Sequence, residues 1–428
     1  MRALPAERRS RHSPWRQALL AVEQPWVAGG LALVVYLAVA SAHVRGPGLG
    51  QWVSPFPYFN YLSDAFLHAQ GHLRLMPPST HDLIQLDGRL YLYWSPFPAV
   101  ALMPFVALFG VGFSDVLFTA VLGAFDVVLV ALLLRAAVVA RVVRLDRARR
   151  AILVACFALG TVHLTLAPFG RVWFTSQLVG FCAVALAYLA ALRLRGAPAV
   201  LTAGLCLAAA TATRNNLLFT GLWPAWFLLS GPALTRQGPA SRRPWPRRAG
   251  LLLLGVLPIA AMGGLLLLYN QLRFGSPLEN GYRFHAMGEP FRADFQRYGL
   301  FHLHYLPRNV FCELVTYPLP ERDSSTQGGG LFWMTPPFLA AFWGLRSRPH
   351  ASVLALVLSI VLTAVPIFLL MGTGFVQWGP RYTLDFTIPL LLLTALGLQR
   401  WPLRWAVLAL LPAVVVYGFG AARFARSL

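Results

Sequence analysis

The chain has 428 residues, of which 57% are hydrophobic and only 12% are charged, and its mean hydropathy is +0.61. Soluble domains carry about twice that charged fraction, so the composition excludes a soluble globular protein and indicates a polytopic membrane protein. The net charge of +21 comes from arginine, because the sequence contains no lysine. The arginines lie between apolar runs, as topology signals do, so we interpret the charge as an orientation signal and expect no nucleic-acid partner.

Eleven apolar runs are predicted to form transmembrane helices, which gives an all-α polytopic fold with juxtamembrane helices in the first outer loop. The runs are 26–42, 114–134, 151–168, 175–192, 198–213, 217–231, 250–269, 330–345, 351–371, 385–398 and 405–421. They predict a single transmembrane domain, 26–421, after a basic N-terminus, 1–25, and before a C-terminal tail, 422–428. Two large outer loops are predicted, at 43–113 and 270–329.

A further apolar run, 96–111, contains three prolines and decides the orientation. If it spanned the membrane, the basic stretch 135–150 would face outwards, against the positive-inside rule. We therefore interpret 96–111 as an interfacial or re-entrant segment and place the N-terminus in the cytoplasm. The predicted cytoplasmic segments then hold 22 of the 36 arginines but only 3 of the 15 acidic residues.

The first outer loop holds the candidate catalytic residues. Residues 56–69 are predicted to form a short helix, on which Asp64 and His68 share a face and Asp64 is a candidate general base. His72, His81 and Asp82 lie nearby, so a metal site is a weaker alternative. The sequence DGRLYLY predicts a turn and a short strand, where Asp87 is a second candidate acid. Beside it, Arg89, Tyr91 and Tyr93 are candidates for contact with a sugar.

Arginines in the predicted outer connections are the clearest anomaly, because topology statistics disfavour them. Arg171, Arg214 and Arg381 each lie in a short outer connection, and Arg273 lies close to the end of the predicted span 250–269. A guanidinium offers a fork of donors that suits phosphate oxygens, so these residues and Tyr382 are candidate ligands for an anionic lipid headgroup. The alternatives are a local ion pair, such as Arg381 with Asp385, or snorkelling to lipid phosphate.

Asp126 is the only acidic residue placed in the middle of a predicted span, and an intramembrane carboxylate is a functional candidate by default. It lies eight residues from the basic inner end. We therefore expect a structural role, in a pair with a cytoplasmic-side arginine.

Several segments resemble the GT-C superfamily of membrane glycosyltransferases, in particular the branch of protein O-mannosyltransferases and the lipid A aminoarabinose transferase. They are YLSDAFLHAQGHL, DGRLYLYWSPFPAVALMPF, TATRNNLLF, YNQLRFGSPLENGY, GGGLFWMTPP and WGPRYTLDFTIP. The order of one span, a large outer loop with a helix, and a span that ends in a basic loop is also similar. The resemblance covers about residues 26–400.

The resemblance implies transfer of a sugar from a polyprenyl-phosphate donor, with inversion, on the outer face of a bacterial plasma membrane. It implies an acidic base in the first outer loop, basic residues at the lipid phosphate and no cofactor. The chain departs from the pattern where the family has its acids, since Pro57 and Tyr58 occupy the first site and Ser176 and Gln177 the second. The base is then Asp64, Asp82 or Asp87.

Two other functions are compatible with the sequence. A transporter or flippase of an anionic lipid-linked intermediate would also use outer arginines, although such proteins more often carry repeats and buried mid-membrane charges. A non-catalytic assembly subunit would keep the scaffold and lose the acids. The sequence does not identify the sugar or the acceptor.

Overall fold

The computed structural model describes residues 22–43, 52–230, 245–285, 289–316, 329–374 and 377–427. Within these residues the chain is almost entirely helical. In chain order the α-helices are α1 Pro25–His43, α2 Tyr58–Leu67, α3 Phe97–Phe109, α4 Asp115–Val139, α5 Arg147–Leu159, α6 Val172–Arg193, α7 Gly196–Thr211, α8 Leu222–Ser230, α9 Trp245–Phe274, α10 Glu289–Tyr298, α11 Leu306–Leu314, α12 Leu331–Met334, α13 Ala340–Gly344, α14 His350–Leu369, α15 Thr387–Leu398 and α16 Leu403–Ser427.

The other regular elements are short. A hairpin of two antiparallel strands, β1 Ile84–Leu86 and β2 Arg89–Tyr91, lies in the first loop. The 3-10 helices are Val162–Thr165, Asn215–Gly221, Tyr282–Phe284, Leu303–Tyr305, Pro336–Leu339 and Arg381–Phe386.

Eight helices in the described part of the chain are long and apolar enough to cross a membrane. They are Pro25–Ala42, Asp115–Val139, Arg147–Thr165, Val172–Arg193, Arg248–Phe274, His350–Leu369, Arg381–Leu398 and Leu403–Ala425. The protein is therefore an integral membrane protein with the all-α polytopic fold that the sequence predicts.

The remaining three predicted spans are shorter or broken. Residues 198–213 correspond to α7, an apolar helix of 16 residues. Residues 217–231 are divided between a 3-10 helix and α8, and 330–345 between α12, a 3-10 helix and α13. The count of eleven spans stays a prediction.

Helix α3 is the run 96–111, and it lies against α2. Its 13 residues extend for about 20 Å, which is less than the thickness of a bilayer core. The Ser63 hydroxyl of α2 donates a hydrogen bond of 2.7 Å to the carbonyl of Ala99. This contact holds α2 and α3 together within the first loop.

Helix α4 joins the two ends of the bundle. Its N-cap residue is Ser114, whose hydroxyl accepts a hydrogen bond of 3.0 Å from the amide of Leu117. Asp115 at the same end accepts two hydrogen bonds from Ser54 of the first loop. We call this end the loop face, and the opposite end, where Arg135 lies, the arginine-rich face.

Glu23 is a carboxylate that two arginines share at the arginine-rich face. Glu23 is 4% exposed. Arg135 binds both of its oxygens, at 2.8 and 2.9 Å, and Arg150 donates to Oε1 at 3.0 Å. Burial raises the pKa of Glu23, but these hydrogen bonds and positive charges more than compensate, so its pKa is lowered overall.

A second polar network lies in the core of the bundle, between α1, α4 and the 3-10 helix Val162–Thr165. Tyr36 donates a hydrogen bond to the carbonyl of Ala158 at 3.0 Å, and its oxygen lies 2.9 Å from Nδ1 of His163. Nε2 of His163 lies 3.5 Å from Asp126, and both side chains are fully buried. The expected pair of Asp126 with a cytoplasmic-side arginine is therefore replaced by a pair with His163.

Candidate functional site

The hairpin of the first loop presents its turn to solvent. Asp87 and Gly88 have positive φ angles of 49° and 73°, which is the backbone of a tight hairpin turn, and both are exposed. Arg89 is exposed at the start of β2, whereas Tyr91 is buried beside Phe274, with ring centroids 5.4 Å apart. Asp87 and Arg89 thus lie at the tip, and Tyr91 is a packing residue.

Asp64 is held by an arginine of the same loop. Nε and Nη2 of Arg74 donate to its two oxygens at 3.0 and 2.9 Å. His68, one turn further along, has Nδ1 at 3.7 Å from Oδ1, so the two side chains do share a face as predicted. The bidentate pair engages both carboxylate oxygens and leaves Asp64 poorly placed to accept a proton from a substrate.

Asp82 occupies a different environment, in a cleft at the loop face. Its Oδ2 accepts a hydrogen bond of 3.2 Å from Nε1 of Trp173 at the start of α6. Nε2 of His285, in the second loop, lies 3.5 Å from Oδ1. The backbone of Asp82 has a φ of +64°, a left-handed conformation that aspartate tolerates better than most residues.

The carboxylate of Asp82 is stabilised in its charged form. Burial raises its pKa, but contact with His285, the neighbouring His81 and the Trp173 hydrogen bond lower it, and the pKa is lowered overall. Asp82 is 21% exposed, so it is both ionised at neutral pH and accessible to a ligand.

Tyrosines from the two loops surround Asp82. Tyr93 stacks on Trp94 with centroids 3.8 Å apart, and it lies 4.5 Å from the ring of Tyr282 and 5.1 Å from that of His285. Burial raises the pKa of Tyr93 well above its ordinary value, so the hydroxyl keeps its proton. We call Asp82, Tyr93, Trp173, Tyr282 and His285 the carboxylate cleft.

The two loops meet at this cleft through their backbones. Ile84 of β1 forms an isolated antiparallel bridge with His285. Arg273 at the end of α9 donates from Nη1 to the carbonyl of Leu92 at 2.7 Å and lies 3.7 Å from the centroid of Tyr269. Arg273 is therefore a buried connector between α9 and the first loop.

Next to the cleft lies an arginine cluster, which we define as Arg214, Arg381, Tyr382 and Asp385. Nε of Arg214 donates to Asp385 at 2.9 Å, and Asn216 donates to the same oxygen at 2.8 Å. The alternative pair of Arg381 with Asp385 does not form, since Asp385 binds Arg214.

Arg381 is buried and has no carboxylate in its hydrogen bonds. Its Nε donates to Gln377 at 2.7 Å and its Nη2 to the hydroxyl of Tyr382 at 3.0 Å. Both arginines lie over the Tyr382 ring, at 5.3 Å for Arg214 and 4.5 Å for Arg381. Tyr382 is also an electrostatic neighbour of Tyr93 and Tyr282, so the cluster and the cleft are contiguous.

Arg171 lies apart from this group. It is 3% exposed and packs against the rings of Phe56, Phe174 and Phe424, at 5.5 to 6.0 Å. Burial lowers its pKa to about 10, and Asp115 partly opposes that shift. The contacts make Arg171 a packing residue at the start of α6.

The sequence analysis missed two members of the site. His285 carried no local signal, and Glu313 of α11 looked like an ordinary loop acid. Glu313 is 1% exposed, and it is an electrostatic neighbour of Arg381 and Asp385. Among the described residues, no three histidine, cysteine or acidic side chains are grouped as a metal site would require.

The comparisons with known proteins bear on the fold. No family model and no curated protein match the sequence. The oligosaccharyltransferase of Archaeoglobus fulgidus, in its apo crystal structure, matches with a TM-score of 0.52 at 12% identity, over 96% of this chain and 56% of that one. The AglB structure from the same organism, in complex with an inhibitory peptide and a dolichol-phosphate, gives 0.50 at 12% identity over the same shares.

A third structure is less similar. ArnT from Cupriavidus metallidurans, bound to undecaprenyl phosphate, has a TM-score of 0.46 at 15% identity, over 96% of this chain and 76% of that one. The likeness to the oligosaccharyltransferase shows that the chain shares the fold of that protein, and the chain spans about half of that protein's length.

Proposed function

We propose that the protein transfers a sugar from a polyprenyl-phosphate-linked donor to an acceptor at the loop face of the membrane. One observation carries the proposal: the buried Arg381 and the half-buried Arg214 adjoin an ionised, accessible carboxylate that has tyrosine and tryptophan side chains beside it. AglB, which shares the fold, has a solved structure in complex with an inhibitory peptide and a dolichol-phosphate. The outward orientation of the loop face rests on the distribution of arginine along the sequence.

In this reaction Asp82 is the base. It accepts the proton of the acceptor hydroxyl as the acceptor oxygen forms its bond to the anomeric carbon and the bond from that carbon to the phosphate oxygen breaks. The electron pair of the broken bond stays on the phosphate, where Arg214 and Arg381 stabilise the charge. A single displacement of this kind inverts the anomeric configuration and needs one carboxylate.

The aromatic side chains of the cleft bind the sugar. Tyr93, Trp94 and Trp173 offer flat apolar surfaces for the sugar ring, and the Tyr93 hydroxyl supplies a hydrogen-bond donor. Residues predicted as sugar contacts but placed at the exposed hairpin tip, such as Arg89, have no part in this arrangement.

The test is a transfer assay with protein reconstituted in lipid. A panel of radiolabelled polyprenyl-phosphate sugars is supplied as donors, with a membrane extract as acceptor. We expect Asp82→Asn to reduce transfer by about 100-fold to 10,000-fold, the usual loss for a general base. Asp64→Asn is the matched control, because it removes an acid of the same loop that is engaged by Arg74.

Two outcomes would contradict the proposal. Wild-type transfer by Asp82→Asn, with loss in Asp64→Asn, would assign the base to Asp64. Binding of a polyprenyl phosphate without transfer from any donor would favour a flippase or a non-catalytic subunit.

A further inference from the structure

Glu313 is a buried acid that the proposed reaction does not use. It lies on α11, where Asn309, one turn earlier on the same face, donates hydrogen bonds to the carbonyls of Phe368 and Leu370 at 3.1 and 2.6 Å. These bonds attach α11 to the end of α14. Glu313 is therefore fixed inside the protein at the loop face, with 1% of its surface exposed.

The carboxyl group of Glu313 has no hydrogen-bond partner among the described residues. Both of its oxygens are buried and unpaired, and the hydroxyl of Tyr417 on α16, an electrostatic neighbour, is unpaired as well. Arg381 uses Nε and Nη2 for Gln377 and Tyr382. An ionised carboxylate in this place would be costly, because no hydrogen bond from the described residues replaces its lost hydration.

The neighbours of Glu313 make its charge important for the arginine cluster. The groups that face it are Arg381 and Asp385 on the 3-10 helix Arg381–Phe386 and Tyr417 on α16. With Glu313 as the neutral acid, the cluster carries two arginines against one carboxylate and is net positive. With Glu313 ionised, the charges balance and the attraction for an anion is lost.

We propose that Glu313 sets the charge of the arginine cluster, so that a phosphate-bearing ligand binds there together with a proton held on Glu313. The inference rests on the proposed function, because it assumes that the arginine cluster holds the lipid phosphate.

The direction of the pH dependence follows from the environment of Glu313. Burial raises its pKa to about 8, an effect that Arg381 opposes and Asp385 reinforces. Below that pH the acid is neutral and binding is strongest. Above it, Glu313 must take up a proton from the solvent when the ligand binds. Affinity then falls by up to about 10-fold per pH unit, as expected for linkage to one proton.

The experiment uses the full-length protein in detergent and a prenyl methyl phosphodiester as the probe. The probe keeps one negative charge throughout the range, so its own titration does not interfere. Calorimetry from pH 6.5 to 9.5 is expected to give constant affinity below about pH 7 and the stated loss above pH 8. Glu313→Gln is expected to remove this loss of affinity. The control is Asp294→Asn, which removes a different acid of the second loop and is expected to retain the loss.

A second measurement on the wild-type protein needs no variant. Calorimetry in buffers of different ionisation enthalpy counts the protons taken up on binding, and we expect about one proton per ligand at pH 9 and none at pH 6.5. Proton uptake that persists in Glu313→Gln, or affinity that is constant to pH 9.5 in the wild type, would overturn the role of Glu313 and leave the phosphate site intact. Absence of probe binding at every pH would overturn the proposed function itself.

Discussion

The two ends of the bundle use arginine in opposite ways. At the arginine-rich face, Glu23 receives three hydrogen bonds from Arg135 and Arg150. At the loop face, Arg381 binds only neutral groups, and Glu313 remains without a partner in the described chain. The loop face also contains ion pairs, such as Arg214 with Asp385, but Arg381 and Glu313 there have no charged hydrogen-bond partner among the described residues.

This difference between the two faces distinguishes arginines that stabilise the fold from arginines that are available to bind a ligand. Glu23, which two arginines share, connects α4 and α5 to the segment before α1. These two arginines have little remaining capacity to bind another anion. Arg381, which is buried against the Tyr382 ring and donates to neutral acceptors, keeps most of its charge available for an incoming anion. The loop face therefore has the properties of a binding site and the arginine-rich face those of a clamp.

The strongest test of this contrast is Arg381→Ala. We expect transfer to fall by about 100-fold or more, since one of two groups that stabilise the departing phosphate is lost. Arg381→Lys keeps the charge but not the fork of donors, and it should recover only part of the activity. If Arg381→Ala transferred sugar normally while its melting temperature fell, the loop face would be a clamp as well.

Glu23→Gln is the corresponding change at the other end. We expect the free energy of unfolding to fall by about 1–3 kcal/mol, a value reduced because Arg135 is partly exposed. Transfer by the folded protein should be unchanged. Thermal unfolding in detergent, with transfer measured below the transition, separates the two effects.

The ion pairs of Glu23 with Arg135 and Arg150 also make the stability of the fold depend on pH in a predictable direction. Because the pKa of Glu23 is lowered in the folded state, its contribution is present above the ordinary glutamate pKa of about 4.3 and is lost as the pH falls below that value. The melting temperatures of wild type and Glu23→Gln should therefore converge at low pH. A constant difference down to pH 3 would contradict the ion pair.

The smallest effect is expected at the hairpin tip. Asp87→Asn and Arg89→Ala alter exposed residues without an ion pair in the described chain, so we expect changes in transfer of less than about twofold and in stability within about 0.5 kcal/mol. Asparagine accepts the positive φ of position 87. A large loss of transfer in Asp87→Asn would return that residue to the catalytic role that the sequence suggested.

Long apolar runs predicted most of the fold because length and hydropathy are local properties. The run 114–134 corresponds to α4, which extends to Val139. The run 330–345 was predicted as one span, but Pro336 and Pro337 interrupt it. Proline lacks the backbone N–H that a continuous helix needs as a hydrogen-bond donor.

The site was only partly predictable. Arg214, Arg381 and Tyr93 stood out because arginine and clustered aromatic residues are conspicuous in outer segments. Asp82 was one of three candidate bases that the sequence did not rank, and Glu313 was not a candidate. The importance of both comes from distant parts of the chain: Asp82 from Trp173 and His285, and Glu313 from the segment that contains Arg381. No local pattern encodes such contacts.

The network of Tyr36, His163 and Asp126 has an electrical consequence. Tyr36 donates its proton to Ala158, so it accepts from Nδ1–H of His163, and Nε2 faces Asp126 at 3.5 Å. With one proton between Nε2 and the carboxyl group, the pair has no net charge, whichever group holds the proton. The membrane potential exerts about 2.3 kcal/mol per 100 mV on a charge that crosses the whole membrane, and it exerts no net force on this pair. Asp126 is thus an acid within a membrane-spanning helix whose pair with His163 does not respond to the membrane potential as a charge would.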